Sequence, residues 1–248
     1  MDDTQLLRYS RQIMLPQVDV AGQEKLLAAH ALIIGAGGLG SPAAIYLAAA
    51  GLGHLTIADD DVVERSNLQR QVLHHDADIG RAKTASAKDT LANINPEVTV
   101  TTLPERLQGD RLAAAVEAAD VVLDCSDNFA TRFAVNAACV KRRTALVSGA
   151  AVRLEGQLTV FLPGDKNILC YNCLYREGED KDQACSENGV LAPIVGIIGS
   201  LQAIEAIKVI LQLGDILCGR LVVFDAMAHE WRTLKIPRDP DCPVCAHR

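Results

Sequence analysis

The 248-residue sequence predicts an α/β fold: a doubly wound, mostly parallel sheet with a C-terminal antiparallel strand extension and a zinc-bound tail. Three observations predict it. Short apolar runs alternate with helix-like segments through residues 1–150, and the first of these runs opens into Gly35-x-Gly37-x-x-Gly40. Beyond residue 150 the strand-like runs lie close together in sequence, as antiparallel neighbours do, and two Cys-x-x-Cys pairs follow the first and the last of them.

Residues 1–29 read as two short helices ahead of a core spanning 30–150. In that core, strand-like runs at 31–35, 54–58, 97–102, 120–124 and 144–148 alternate with helical patterns at 39–50, 80–94, 109–118 and 129–142. The run "ALIIG" and the "VVL" centre of "DVVLDC" are apolar throughout, as strands covered on both faces should be. In the remaining part, 151–248, "GQLTVFLP", "RLVVFDA" and "EWRTLKI" read as the antiparallel strands. The polar stretch 176–189 reads as a mobile surface loop. The apolar stretch 192–213 is interrupted by Gln202, Glu205 and Lys208, so a buried helix is expected in preference to a membrane span. The whole of 1–248 is expected to be one domain.

Hydrophobic residues make up 49% of the chain and charged ones 22%, the balance of a folded protein. The net charge of −7 offers no footprint for nucleic acid. The N-terminal "MDDTQLLRYS" has two acids and no apolar core of a leader, which points to the cytoplasm.

A glycine turn between strand and helix lets the backbone approach a phosphate, and the helix N-terminus offers N–H groups to it. Asp59, closing the second strand, can accept from a ribose. These features alone suit NAD as well as ATP. The stretch "RSNLQRQ" at 65–71 follows at once, placing Arg70 and Asn67 on one face of a helical turn; Lys83 opens the next helix and Asp127 with Asn128 lies past the fourth strand. Taken singly, Arg70 and Lys83 read equally well as solvated charges, and Asp127 as a helix cap. Taken together they suit phosphoryl chemistry: two cations for the phosphates and a carboxylate for Mg²⁺.

Cys170-x-x-Cys173 and Cys242-x-x-Cys245 carry zinc spacing, and four thiolates would make a closed, structural site. Cys125, Cys139 and Cys218 stand in apolar contexts and are expected in the core; Cys185 lies in the polar loop.

The glycine turn, "RSNLQRQ", Lys83, "DCSDN", "SGAA" at 148–151 and the two cysteine pairs, in that order, resemble the MoeB/ThiF family of E1-like adenylyltransferases. The resemblance runs from "RYSRQI" at 8–13 to "CPVC" at 242–245. It implies ATP as substrate, with Mg²⁺ and Zn²⁺ as ions. The reaction it implies is adenylation of the C-terminal glycine of a small ubiquitin-like sulfur-carrier protein, MoaD- or ThiS-like, with release of pyrophosphate, in molybdenum cofactor or thiamine biosynthesis. It places Gly35, Gly37, Gly38, Gly40, Asp59, Ser66, Asn67, Arg70, Gln71, Lys83, Asp127 and Asn128 around the nucleotide, and Asp127 on magnesium. It further implies a homodimer in which Arg11 reaches the partner's site, and a sulfur-transfer role for Cys185 that adenylation itself does not need. The chain ends at Arg248 without the rhodanese-like domain of some relatives, so sulfur is expected from a separate donor protein. Asp60 departs from the family pattern, where an apolar residue is common. Three competing readings are an NAD-dependent oxidoreductase, which leaves Arg70, Lys83 and Asp127 unexplained; a tRNA-modifying dehydratase, against which the acidic charge weighs; and a nucleotide-binding scaffold without chemistry.

Overall fold

The computed structural model describes residues 1–162, 169–176 and 188–246. Three helices lead in: α1 (Asp3–Arg8), α2 (Ser10–Ile13) and α3 (Asp19–Ala28), one more than the sequence predicts. The extra break falls at Tyr9, whose backbone leaves the helical region and whose buried ring packs beneath Gly51. The core follows as β1 (His30–Ile34), α4 (Gly40–Ala49), β2 (His54–Ala58), α5 (Lys83–Ile94), β3 (Thr99–Leu103), α6 (Gly109–Glu117), β4 (Val121–Asp124), α7 (Phe129–Arg142), β5 (Ala145–Val152) and β6 (Glu155–Phe161). A short α8 (Tyr171–Leu174), a long α9 (Ala192–Leu211) and the hairpin of β7 (Arg220–Asp225) with β8 (Glu230–Lys235) complete it. Helix α5 starts at Lys83 and not at 80, because Gly80 has φ +87° and Ala82 bridges to Val62.

One eight-stranded sheet runs β3-β2-β1-β4-β5-β6-β7-β8. The first five strands are parallel, and β6, β7 and β8 add antiparallel. Alternation along β1 assigns its faces. Ala31 and Ile33 join α4, α5 and α9 in one core cluster, while Leu32 and Ile34 join α6 and α7 in the other. Near-continuous burial of β1, β2 and β4 follows, as the apolar runs predict.

Among the described residues α9 is the one helix long and apolar enough to cross a membrane, and it packs as a core helix against α4, β5 and β6. Its polar interruptions are all satisfied. The Gln202 amide donates to the Asp124 and Val147 carbonyls at 2.8 and 3.3 Å; Glu205 accepts from Lys208 and from the Leu217 amide. Gly199 permits close contact with α4, since a Cβ there would stand 2.2 Å from the Leu39 carbonyl oxygen.

Candidate active site

The chain leaves β1 for β2 and β3 on one side and returns to β4 on the other, so a crevice opens at the carboxyl ends of β1 and β4. A cavity of about 360 Å³ lies there. The glycine turn forms one wall. Gly35 has φ +96°, and a Cβ on it would meet the Cys125 carbonyl oxygen at 2.9 Å. Gly37, by contrast, faces open space apart from the Gln71 amide, leaving room for a ligand. Helix α4 has no side-chain cap and brings the positive end of its dipole to the crevice, which Gly37, Gly38 and Leu39 line just ahead of it.

The turn is held from both sides at Ala36. Its N–H donates to Asp59 at 2.7 Å, and its carbonyl accepts from His74 Nε2 at 2.9 Å. Burial keeps His74 below its usual pKa, and its Nδ1 pairs with the Ser86 hydroxyl at 2.9 Å. Gly40 does not line the cavity but secures the turn: a Cβ there would sit 1.9 Å from the Gly35 carbonyl oxygen. Gly40→Ala is therefore expected to destabilise the fold by roughly 1–3 kcal/mol, read as a lower denaturant midpoint with unchanged slope.

Lys83 is not a solvated charge. It is 4% exposed, with Nζ 2.8 Å from Asp61 and 3.9 Å from Asp59. Burial raises the Asp59 carboxyl above its usual range, and the Lys83 charge opposes that rise. Arg70, among the described residues, has only neutral partners: the Ser66 carbonyl at 3.3 Å and Asn67 Oδ1 at 3.4 Å. Ser66 and Asn67 thus stand behind Arg70 and do not line the cavity themselves. Gln71 does line it, is 4% exposed, and carries an Oε1 without a hydrogen-bond partner. Arg11 is exposed and outside the cavity of its own chain.

At β4, capping of α7 falls to Asn128, which accepts from the Thr131 amide at 2.9 Å. Asp127 is thereby left exposed at the cavity with its carboxylate free of capping duty, a fit for a hard cation. The turn carrying it is fixed by Arg132, which the sequence reading missed. Buried Arg132 donates to the Ser126 and Gly149 carbonyls and lies 3.7 Å from Asp124. A signal existed: a cation in the first turns of a helix opposes the helix dipole unless other acceptors claim it. Glu105, Arg106, Leu107 and Val195 also line the cavity and were likewise unforeseen in that place, whereas Asp60, beside Asp59, and Ala151, in "SGAA", line it as well.

The four paired cysteines converge, with Cys170 and Cys242 sulfurs 3.7 Å apart, Cys173 and Cys245 sulfurs 3.5 Å apart, and all four within 4.8 Å. Zinc–sulfur bonds of 2.3 Å at a tetrahedral centre require edges of about 3.8 Å, so the set fits zinc. Asn136 supports it from α7, accepting from the Tyr171 amide and donating to Asn172. Burial pushes the Cys170 thiol up to about 11, so a thiolate there calls for a cation. Cys125 and Cys139 are buried as expected, but Cys218 is exposed, lying where the chain joins α9 to β7. Cys185 and most of the 176–189 loop lie outside the described residues.

The model of the ThiF family matches residues 9–244. The chain is 47% identical over 245 residues to the molybdopterin-synthase adenylyltransferase of Salmonella typhimurium, covering 99% of this chain and 98% of that protein. It is also 47% identical over 245 residues to the sulfur carrier protein ThiS adenylyltransferase of Escherichia coli, covering 99% and 97%. The crystal structure of E. coli MccB with ATP superposes with a TM-score of 0.81 at 25% identity, covering 96% of this chain and 73% of that one. A match that takes in the parallel core, the cation-lined crevice and three of the four cysteines of the tail has one consequence: the chain belongs to the ThiF family.

Proposed function

We propose that the chain is an E1-like nucleotidyltransferase that uses ATP to adenylate the C-terminal glycine of a small sulfur-carrier protein, in molybdenum cofactor or thiamine biosynthesis. The observation that carries this reading is the convergence on one cavity of the glycine turn, Asp59, Arg70, Lys83 and Asp127. Asp59 holds the ribose, the turn and the two cations hold the phosphates, and the carrier's carboxylate oxygen attacks the α-phosphorus. The bond from α-phosphorus to the bridging oxygen breaks, and pyrophosphate leaves with the electron pair. Arg70, lacking any acidic partner among the described residues, supplies positive charge where the leaving group gains negative charge. Asp127 would hold Mg²⁺, which supplies charge neutralisation at the phosphates.

Residues 30–150 supply the glycine turn, Asp59, the two cations and Asp127 of the nucleotide site, with Ala151 and Val195 completing its lining, and 151–248 otherwise serves the carrier and zinc. Support for the carrier side comes from the antiparallel end, where every residue of β8 is exposed and Met227, Trp231 and Leu234 present apolar surface. Exposed Leu6, Leu7, Met14 and Leu15 flank Arg11 along the N-terminal helices and support a homodimer. Sulfur would arrive from a separate donor protein, in the cytoplasm, after the adenylate forms.

The test is carrier-dependent ATP–pyrophosphate exchange, with mass spectrometry of the carrier for an added adenylyl group. Nucleotide binding without exchange for either type of carrier would reduce the chain to a scaffold. Asp127→Asn keeps the shape and loses the charge, so exchange is expected to fall about tenfold or more and to need more Mg²⁺ for half-maximal rate; an unchanged Mg²⁺ titration would remove Asp127 from that role.

A further inference from the structure

Asp60 and Arg106 have no part in the reaction as proposed, yet both line its cavity. The order of the sheet says where. Along its carboxyl edge, the cavity passes Glu105, Arg106 and Leu107 beyond β3, then Asp59 to Asp61 beyond β2, the glycine turn beyond β1, and Cys125 to Asn128 beyond β4. If phosphates occupy the turn and the ribose meets Asp59, the base extends further in the same direction, to residues 105–107. This placement rests on the adenylation reading.

Arg106 Nε stands 3.4 Å from Asp60 Oδ2, an ion pair across the mouth with both side chains about half exposed. Leu107, next in sequence, is 6% exposed and forms an apolar lining at the same end. The segment is anchored by a second pair, Arg111 to Glu105. A guanidinium is planar and stacks on aromatic faces, which an ammonium does not. We propose that Arg106 selects the base: its guanidinium plane covers a purine whose other face meets Leu107, and Asp60 is the positioning carboxylate that holds that plane over the nucleoside end. A purine, with the larger π-face, gains more from such a lid than a pyrimidine.

The test is calorimetric binding of ATP and of CTP, with Mg²⁺, to the full chain without carrier. Arg106→Ala is expected to weaken ATP about fivefold and CTP twofold or less, so that the preference for ATP shrinks. Arg106→Lys keeps a charge for Asp60 but no plane, and is expected to behave like Ala. Asp60→Asn should weaken ATP about two- to threefold and add little to Arg106→Ala, since it acts through Arg106. An unchanged ATP-to-CTP ratio in Arg106→Ala, with wild type binding ATP normally, would overturn this inference alone. Full recovery in Arg106→Lys would overturn it too, by reducing Arg106 to a point charge. A wild-type chain that binds neither nucleotide would overturn the site reading and this inference together.

Discussion

Arg70→Ala and Lys83→Ala are each expected to lower carrier-dependent ATP–pyrophosphate exchange by about 10²-fold or more, with the fold intact by circular dichroism. The two losses differ in kind. Arg70 has only neutral partners among the described residues, so its removal takes a free cation from the cavity and leaves no buried acid behind. Lys83 sits between Asp59 and Asp61, and its charge opposes the burial that raises the Asp59 pKa. Without it the Asp59 pKa rises further, and the carboxylate is lost at a higher pH. The Lys83→Ala deficit should therefore deepen as pH falls, with the acid limb of its profile displaced upward relative to wild type, whereas the Arg70→Ala deficit should be closer to constant. Near-normal exchange in both variants would sink the assignment of the cavity.

Removing the metal is expected to have the other large effect. The chain should carry one zinc, and Cys170→Ser or a strong chelator should lower the unfolding temperature by 10 °C or more. Structural zinc sites contribute on the order of 10 kcal/mol of apparent binding free energy to folding. The effect should reach beyond the tail, because Cys170 and Cys242 are 72 residues apart and the loop they close contains α9, β7 and β8. Substrate turnover per folded molecule should change less than stability does, since four sulfur ligands leave no open position for chemistry. Metal analysis of protein purified without chelator, finding no zinc and two disulfides, contradicts this.

Much of this architecture is legible in the sequence. The five parallel strands, the glycine turn, Lys83 at the start of α5 and the cysteine pairs all follow from local patterns: period, turn chemistry and ligand spacing. What local patterns leave out are partnerships between distant segments. Nothing near Lys83 announces Asp61 as its partner, because the contact depends on how the turn after β2 meets α5. Arg132 goes unnoticed because its partner, the Gly149 carbonyl, is brought against it only by β5. Cys218 reads as core from its apolar neighbours and is exposed because the join between α9 and β7 runs over the surface. Asp127 and Asn128 exchange duties for a similar reason: both can cap a helix, and only the backbone at 128 decides which one does.

Helix α9 also carries a consequence for biosynthesis. Val195 packs against Gly38, Gly199 against the start of α4, and Gln202 against the end of β4 and the middle of β5, so the last wall of the nucleotide crevice is encoded far downstream of the strands it covers. As the ribosome extends the polypeptide, the first 150 residues emerge with the glycine turn and an apolar sheet face uncovered. Nascent chains stalled before residue 192 should therefore bind ATP poorly and be held by chaperones, while those released past residue 211 should acquire nucleotide affinity in a single step.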